Sequence, residues 1–236
     1  MTRERITILT GGAVTAFAAF GIARGDHRVW AYLVVTSVLV TSTIVVDRRV
    51  RFSPLVLGAL CGAIVLHLSG GLLPGPDEAI LYDQWLVPGV LKYDQLVHFA
   101  NCTALTLACF VVVRRWLRPG VGLVGPAYAA ALMACGLGAV NEVFEYLASL
   151  LFHDLDVGGY DNTGWDLVFN LAGALTMATW LALSAAPQVH DVADGERAPG
   201  AVGLLDDEVA DLVDIDRGTR DVAVTELDAH RSSQRR

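Results

Sequence analysis

The sequence predicts an all-α, polytopic membrane protein with about six transmembrane helices and both termini in the cytoplasm. Three observations carry this. Of the 236 residues, 54% are hydrophobic and only 18% charged. Mean hydropathy is +0.49, well above that of an ordinary soluble domain. Apolar stretches near 6 to 23, 29 to 46, 53 to 73, 95 to 113, 122 to 152 and 166 to 185 each match the roughly 20 residues that cross a hydrocarbon core.

The first stretch follows "RER" and ends in small residues, as a secretory signal does. It is long for a signal core and lacks a clear A-x-A site, so it reads as a retained span. Ser53-Pro54 and Gly125-Pro126 mark the starts of the third and fifth helices, because proline fits the first helical turn, where its missing N–H costs nothing. Arg3, Arg5, Arg48, Arg49, Arg51, Arg114, Arg115 and Arg118 fall at one membrane face. Only Arg24, Arg28 and Lys92 fall at the other. That bias puts the termini inside and makes the second face, with the acidic Asp77, Glu78, Asp83, Asp154, Asp156 and Asp161, the outer one.

The net charge of -8 belongs largely to residues 186 to 236, which hold 12 acidic and 6 basic residues. This stretch shows little periodicity beyond a short face of Leu205, Val209 and Leu212. It reads as a mostly disordered cytoplasmic tail beside a membrane domain of residues 1 to 185. No basic face exists, which excludes nucleic acid as a partner. Cys61, Cys102, Cys109 and Cys135 all lie in apolar stretches, as packing residues rather than a disulfide framework. Residues 74 to 94 are too long for a simple turn. Tyr82, Trp85 and Tyr93 suit an interfacial segment, an anchor or a lid.

Polar residues recur on the last three helices. "KYDQLVHFANC" places Asp94 and His98 four apart, with Asn101 near the same stripe. "GAVNEVFEY" gathers Gly138, Asn141, Glu142 and Glu145 within about 100° of arc, and "DNTGWDLVFNLAG" aligns Asp166, Asn170 and Gly173. The fourth and sixth helices run inward, so Asp94, His98, Asp166 and Asn170 are expected in their first turns. The fifth runs outward and carries its glutamates near its outer end. All should share one layer beneath the outer surface.

At helix centre each ionisable residue costs about 2.5 to 3.5 kcal/mol, so these groups are expected to face one another or water. Glu142 and Glu145 are too close to ionise together comfortably, so a proton, a charged His98 or a metal should sit between them. Against this, Asp94 and Asp166 also suit helix caps, and buried polar residues can serve as packing glue. His67 reads as a packed histidine, and His153 and Asp154 as solvated loop residues.

As a set, "KYDQLVHF", "NEVFEY" and "DNTGWDLVFNLAGA" resemble the VanZ-like proteins and, in this longer form, the YjdF-like inner-membrane proteins. The resemblance covers roughly residues 80 to 180. It implies a multi-pass protein of the bacterial inner membrane and supplies no reaction. The glutamates and Asp161, which opens "DNTGWD", match by position.

Three functions compete. The first is an outer-leaflet enzyme acting on a lipid-linked cell-envelope precursor or a lipid headgroup. Its catalytic residues would be His98 or one of Glu142 and Glu145 as general base, the protonated partner of the Glu pair as general acid, Asp94 orienting the imidazole, and Asp166, with Asn141, Asn170, Asn101 and Asp161 as binding residues. Carboxylates with one imidazole also suit a divalent Mg, Mn or Zn ion, although no spacing of a known metal site is present. No G-x-S-x-G or H-E-x-x-H motif occurs. The others are a proton- or cation-coupled transporter, for which inverted repeats are lacking, and a non-catalytic envelope-binding or assembly protein.

Overall fold

The computed structural model describes residues 1–76, 80–118, 121–151 and 159–184. His153, Asp154 and the acidic tail lie outside them. Six helices follow in order: α1 (Arg3–Ala23), α2 (Arg28–Val50), α3 (Pro54–Leu72), α4 (Tyr93–Trp116), α5 (Val124–Leu151) and α6 (Gly159–Ser184). All six are long and apolar enough to cross a membrane.

Local chemistry sets the boundaries. Ser53 Oγ accepts from Val56 N at 3.3 Å and Pro54 opens α3, as the sequence predicts. Asp47, near the end of α2, accepts from Arg3 Nη2 at 2.6 Å and Phe52 N at 2.9 Å, and Arg3 also donates to the Phe52 carbonyl. One carboxylate thus joins the start of α1 to the α2–α3 turn, at the end of the bundle that carries the arginine clusters.

At the opposite end, Asp26 Oδ1 accepts from Arg28 N at 3.0 Å and Nε at 2.9 Å, and Oδ2 from Nη2 at 2.9 Å. Hydrogen bonding from Arg28 holds the Asp26 carboxyl below its ordinary value. A group depressed in the folded state stabilises above its unfolded value and loses that contribution as pH falls through the folded one. Asp26→Ala should therefore cost about 1 kcal/mol at neutral pH, since the arginine is partly solvated and the N–H contact is the durable part. Thermal unfolding of the two proteins should converge in strong acid.

Helix α4 is central, packing on α3, α5 and α6. Its contacts with α5 and α6 are close because the facing residues are small: Ala127, Ala130, Ala131 and Ala134 on α5, and Ala174 and Ala178 on α6, are all buried. Gly173 brings α6 against the Phe99 carbonyl of α4, where an added Cβ would collide with that oxygen. Exposed Leu132, Val143, Phe144 and Leu150 occupy the other side of α5.

The connection before α4 adds a feature the all-α reading does not contain. A 3-10 turn at Leu81–Asp83 leads into an antiparallel hairpin of β1 (Trp85–Val87) and β2 (Leu91–Lys92). Its turn contains Gly89 at φ +71°, a conformation glycine adopts without strain. Trp85, Leu86, Val87 and Val90 are exposed, and Lys92 Nζ lies 5.4 Å from the Trp85 ring centre. Tyr82 folds back instead. Its hydroxyl lies 2.7 Å from His67 Nδ1 and 3.1 Å from the His67 carbonyl. Burial raises the Tyr82 phenol well above its usual value, keeping it neutral. His67 is thus a packed residue, as expected. The four cysteines are free, also as expected.

Candidate functional site

The polar stripes of α4, α5 and α6 meet around His98. Asp94 Oδ1 lies 3.4 Å from Nε2 and Asp166 Oδ1 3.9 Å from the same nitrogen. On the other side of the ring, Glu142 Oε1 lies 3.4 Å and Asn170 Oδ1 3.3 Å from Nδ1. His98, Glu142, Asp166 and Asn170 are buried, and Asp94 is partly open, with 18% of its side chain exposed.

Each element positions its groups for a local reason. Gln95 Oε1 accepts from Lys92 N at 2.9 Å, closing the first turn of α4 and fixing the approach of Asp94. Gly138 leaves room beside Asn170 and Cys102, whose Sγ lies 3.1 Å from Asn170 Oδ1. Asn141 Nδ2 donates to Glu145 Oε1 at 2.6 Å, which holds the half-buried Glu145 beside the cluster.

One correction concerns depth. Helix α6 begins at Gly159, seven residues before Asp166, so Asp166 lies about 10 Å and Asn170 about 16 Å along it rather than in its first turn. His98 is in the second turn of α4. The polar segment 159 to 165 extends the helix beyond its apolar run, which alone marked the expected boundary. The layer survives because the glutamates of α5 are set back from its end by a similar amount.

The longer helix exposes a residue the sequence reading missed. Asn162 Nδ2 donates to Asp166 Oδ2 at 2.7 Å and to Asp94 Oδ2 at 3.1 Å, bridging two helices. Asp161, expected to contribute to binding, is exposed in the first turn of α6. It precedes Asp166 by five residues, about 140° around the helix, whereas Asn162 precedes it by four and shares its face. Asn101 lies on α4, half-buried, with Oδ1 enclosed and lacking a hydrogen-bond partner among the described residues.

Three further atoms of the cluster are enclosed without a hydrogen-bond partner among the described residues: Glu142 Oε1, Asp166 Oδ1 and Asn170 Nδ2. Four carboxylates around one imidazole leave a negative excess even with the ring doubly protonated. A layer this buried requires protons or a cation to balance it.

A family model described as "Predicted membrane protein (DUF2238)" matches residues 5–186. The chain belongs to this family. No curated protein and no solved structure matches the chain. The DUF2238 match begins within α1 and runs just past α6, so it takes in all three helices that build the cluster as well as the three that precede them.

Proposed function

We propose that this protein is an enzyme of the bacterial inner membrane acting from the outer leaflet. Its substrate class is a lipid-linked cell-envelope component or a lipid headgroup. The arginine bias supports an outward-facing cluster, and the VanZ-like and YjdF-like motifs support the bacterial membrane. The observation that carries the reading is a buried imidazole flanked at both nitrogens by carboxylates from three helices, of which Glu142 Oε1 and Asp166 Oδ1 are enclosed beside the ring without a hydrogen bond among the described residues. Packing glue would hydrogen-bond its own oxygens, and these two stand beside the imidazole without doing so.

Glu145, half-buried, and Glu142, enclosed, lie one turn apart and suit proton transfer. The ionised member takes the proton of the attacking hydroxyl or water, and the protonated member supplies one to the leaving oxygen. His98, restrained by Asp94 and Asp166, fixes the electrostatics of the centre. The hairpin, exposed at Val87 and Val90 near its turn and with Lys92 over Trp85 at its base, suits the headgroup layer from which such a substrate would enter.

The test is turnover by the purified protein in lipid nanodiscs supplied with labelled phospholipids and lipid-linked envelope precursors, followed by mass spectrometry. Glu142→Gln and Glu145→Gln should each lower turnover about 100-fold or more while retaining thermal stability. Undiminished turnover in both would overturn the reading. Absence of turnover combined with uptake driven by an imposed pH gradient in proteoliposomes would replace it with a carrier.

A further inference from the structure

We infer that Asp94, His98 and Asp166 form a binding site for one divalent metal ion of the Zn2+ or Mn2+ type. Its ligands are Asp94 Oδ1, His98 Nε2 and Asp166 Oδ1. This goes beyond the proposed activity and stands without it, since a bound ion has a signature of its own.

Distances are the first argument. Charge-assisted N–H···O bonds run at about 2.7–2.9 Å, whereas the two carboxylates lie 3.4 and 3.9 Å from Nε2. Two ligands bound at about 2.1 Å with tetrahedral angles are about 3.4 Å apart, and octahedral geometry spans about 3.0 to 4.2 Å. Each of the three residues offers one ligand atom within 4.8 Å of the other two. Both Oδ1–Nε2 separations stand at ligand spacing.

The supporting groups are the second argument. Asn162 Nδ2 donates to Oδ2 of both aspartates, leaving both Oδ1 atoms turned toward Nε2. His98 Nδ1 faces Asn170 Oδ1 and Glu142 Oε1, acceptors for the N–H that remains when Nε2 binds metal. Metal centres commonly have such an outer arrangement, which fixes the imidazole tautomer and carboxylate orientation. Asp166 supplies the independent sign of a ligand: its side chain is 1% exposed, yet Oδ1 has no hydrogen-bond partner among the described residues.

The opposite face of the ring, toward Glu142 and Glu145, also gathers three donors. There, Nδ1 already meets an amide oxygen and Glu145 is bonded to Asn141. On the Nε2 face, by contrast, the Asn162 bonds of both aspartates fall on Oδ2 and leave both Oδ1 atoms toward the ring. Three protein ligands leave positions open for water or a substrate oxygen, as in catalytic rather than structural zinc sites.

The experiment uses the full chain in nanodiscs, stripped with EDTA, reloaded separately with Zn2+ or Mn2+ and freed of unbound ion. Elemental mass spectrometry should find about one metal per chain for at least one of these ions. Asp166→Asn and His98→Gln should lose it, Asn162→Ala should weaken binding about 10- to 100-fold, and Glu4→Gln, at an exposed carboxylate of α1, should bind as the parent does. Imidazole nitrogen coupling in the pulsed EPR spectrum of the Mn2+-loaded protein should vanish in His98→Gln, with gel filtration checking the fold of each variant. Failure of the parent to retain either ion, or equal retention by folded Asp166→Asn, would overturn the site. Lipid turnover persisting in metal-free protein would remove the ion from the reaction while leaving the proposed activity standing.

Discussion

Gly173→Val should abolish stable assembly of the α4–α6 pair. A Cβ at this position would run into the Phe99 carbonyl oxygen and come within 3.0 Å of Thr103 Oγ1. Neither can readily move: Thr103 Oγ1 already bonds the Phe99 carbonyl at 2.8 Å and the Gly173 carbonyl at 3.2 Å. Overpacking of a well-filled core costs about 1–3 kcal/mol, and a backbone carbonyl places this site at the upper end or beyond. The displacement would also separate His98 from Asp166, joining a fold effect to loss of the site. Denaturation midpoints in detergent measure the effect. Gly12→Ala, with nothing within 4 Å, is the comparison, and glycine-to-alanine in an open helix should be neutral or slightly stabilising. Equal midpoints would mean that the two helices do not approach at Gly173.

The second large effect concerns charge. His98→Ala removes the basic side chain at the centre of Asp94, Glu142, Glu145 and Asp166, and taking one partner from a buried ionic group costs about 3–5 kcal/mol. Asp166→Asn alone should also destabilise, since it breaks a bridged carboxylate. Combined, the two should cost less than their sum by about 1–3 kcal/mol, because the second change removes charge that the first left unbalanced. A double-mutant cycle on unfolding free energies in lipid or detergent measures this coupling. Strict additivity would mean that His98 and Asp166 do not interact.

The helices were largely legible because a bilayer turns the sequence into a length measurement: a long apolar run must span. Stripe direction was legible too, since four-residue spacing around His98 and Asp166 survives any packing. The true start of α6 was hidden, because "GYDNTG" has the composition of a turn and only its continuation in the structure shows it to be helical. That hidden turn carries Asn162, so the bridge between two aspartates was lost with it. The hairpin at Trp85–Lys92 was equally obscured, although Pro88-Gly89 between short apolar segments is a turn signal. The His67–Tyr82 contact joins residues 15 apart through a folded loop, which no local spacing reports.

The order in which the chain leaves the ribosome gives the Asn162 bridge a further meaning. Asp94 and His98 are synthesised roughly 70 residues before Asn162, Asp166 and Asn170. Until α6 emerges, α4 carries an incomplete polar face, which favours delay at the water-filled translocon over release into lipid. Chains stopped after α5 lack the Asn162 bond to Asp94, so pulse-chase labelling should find them degraded faster than completed chains.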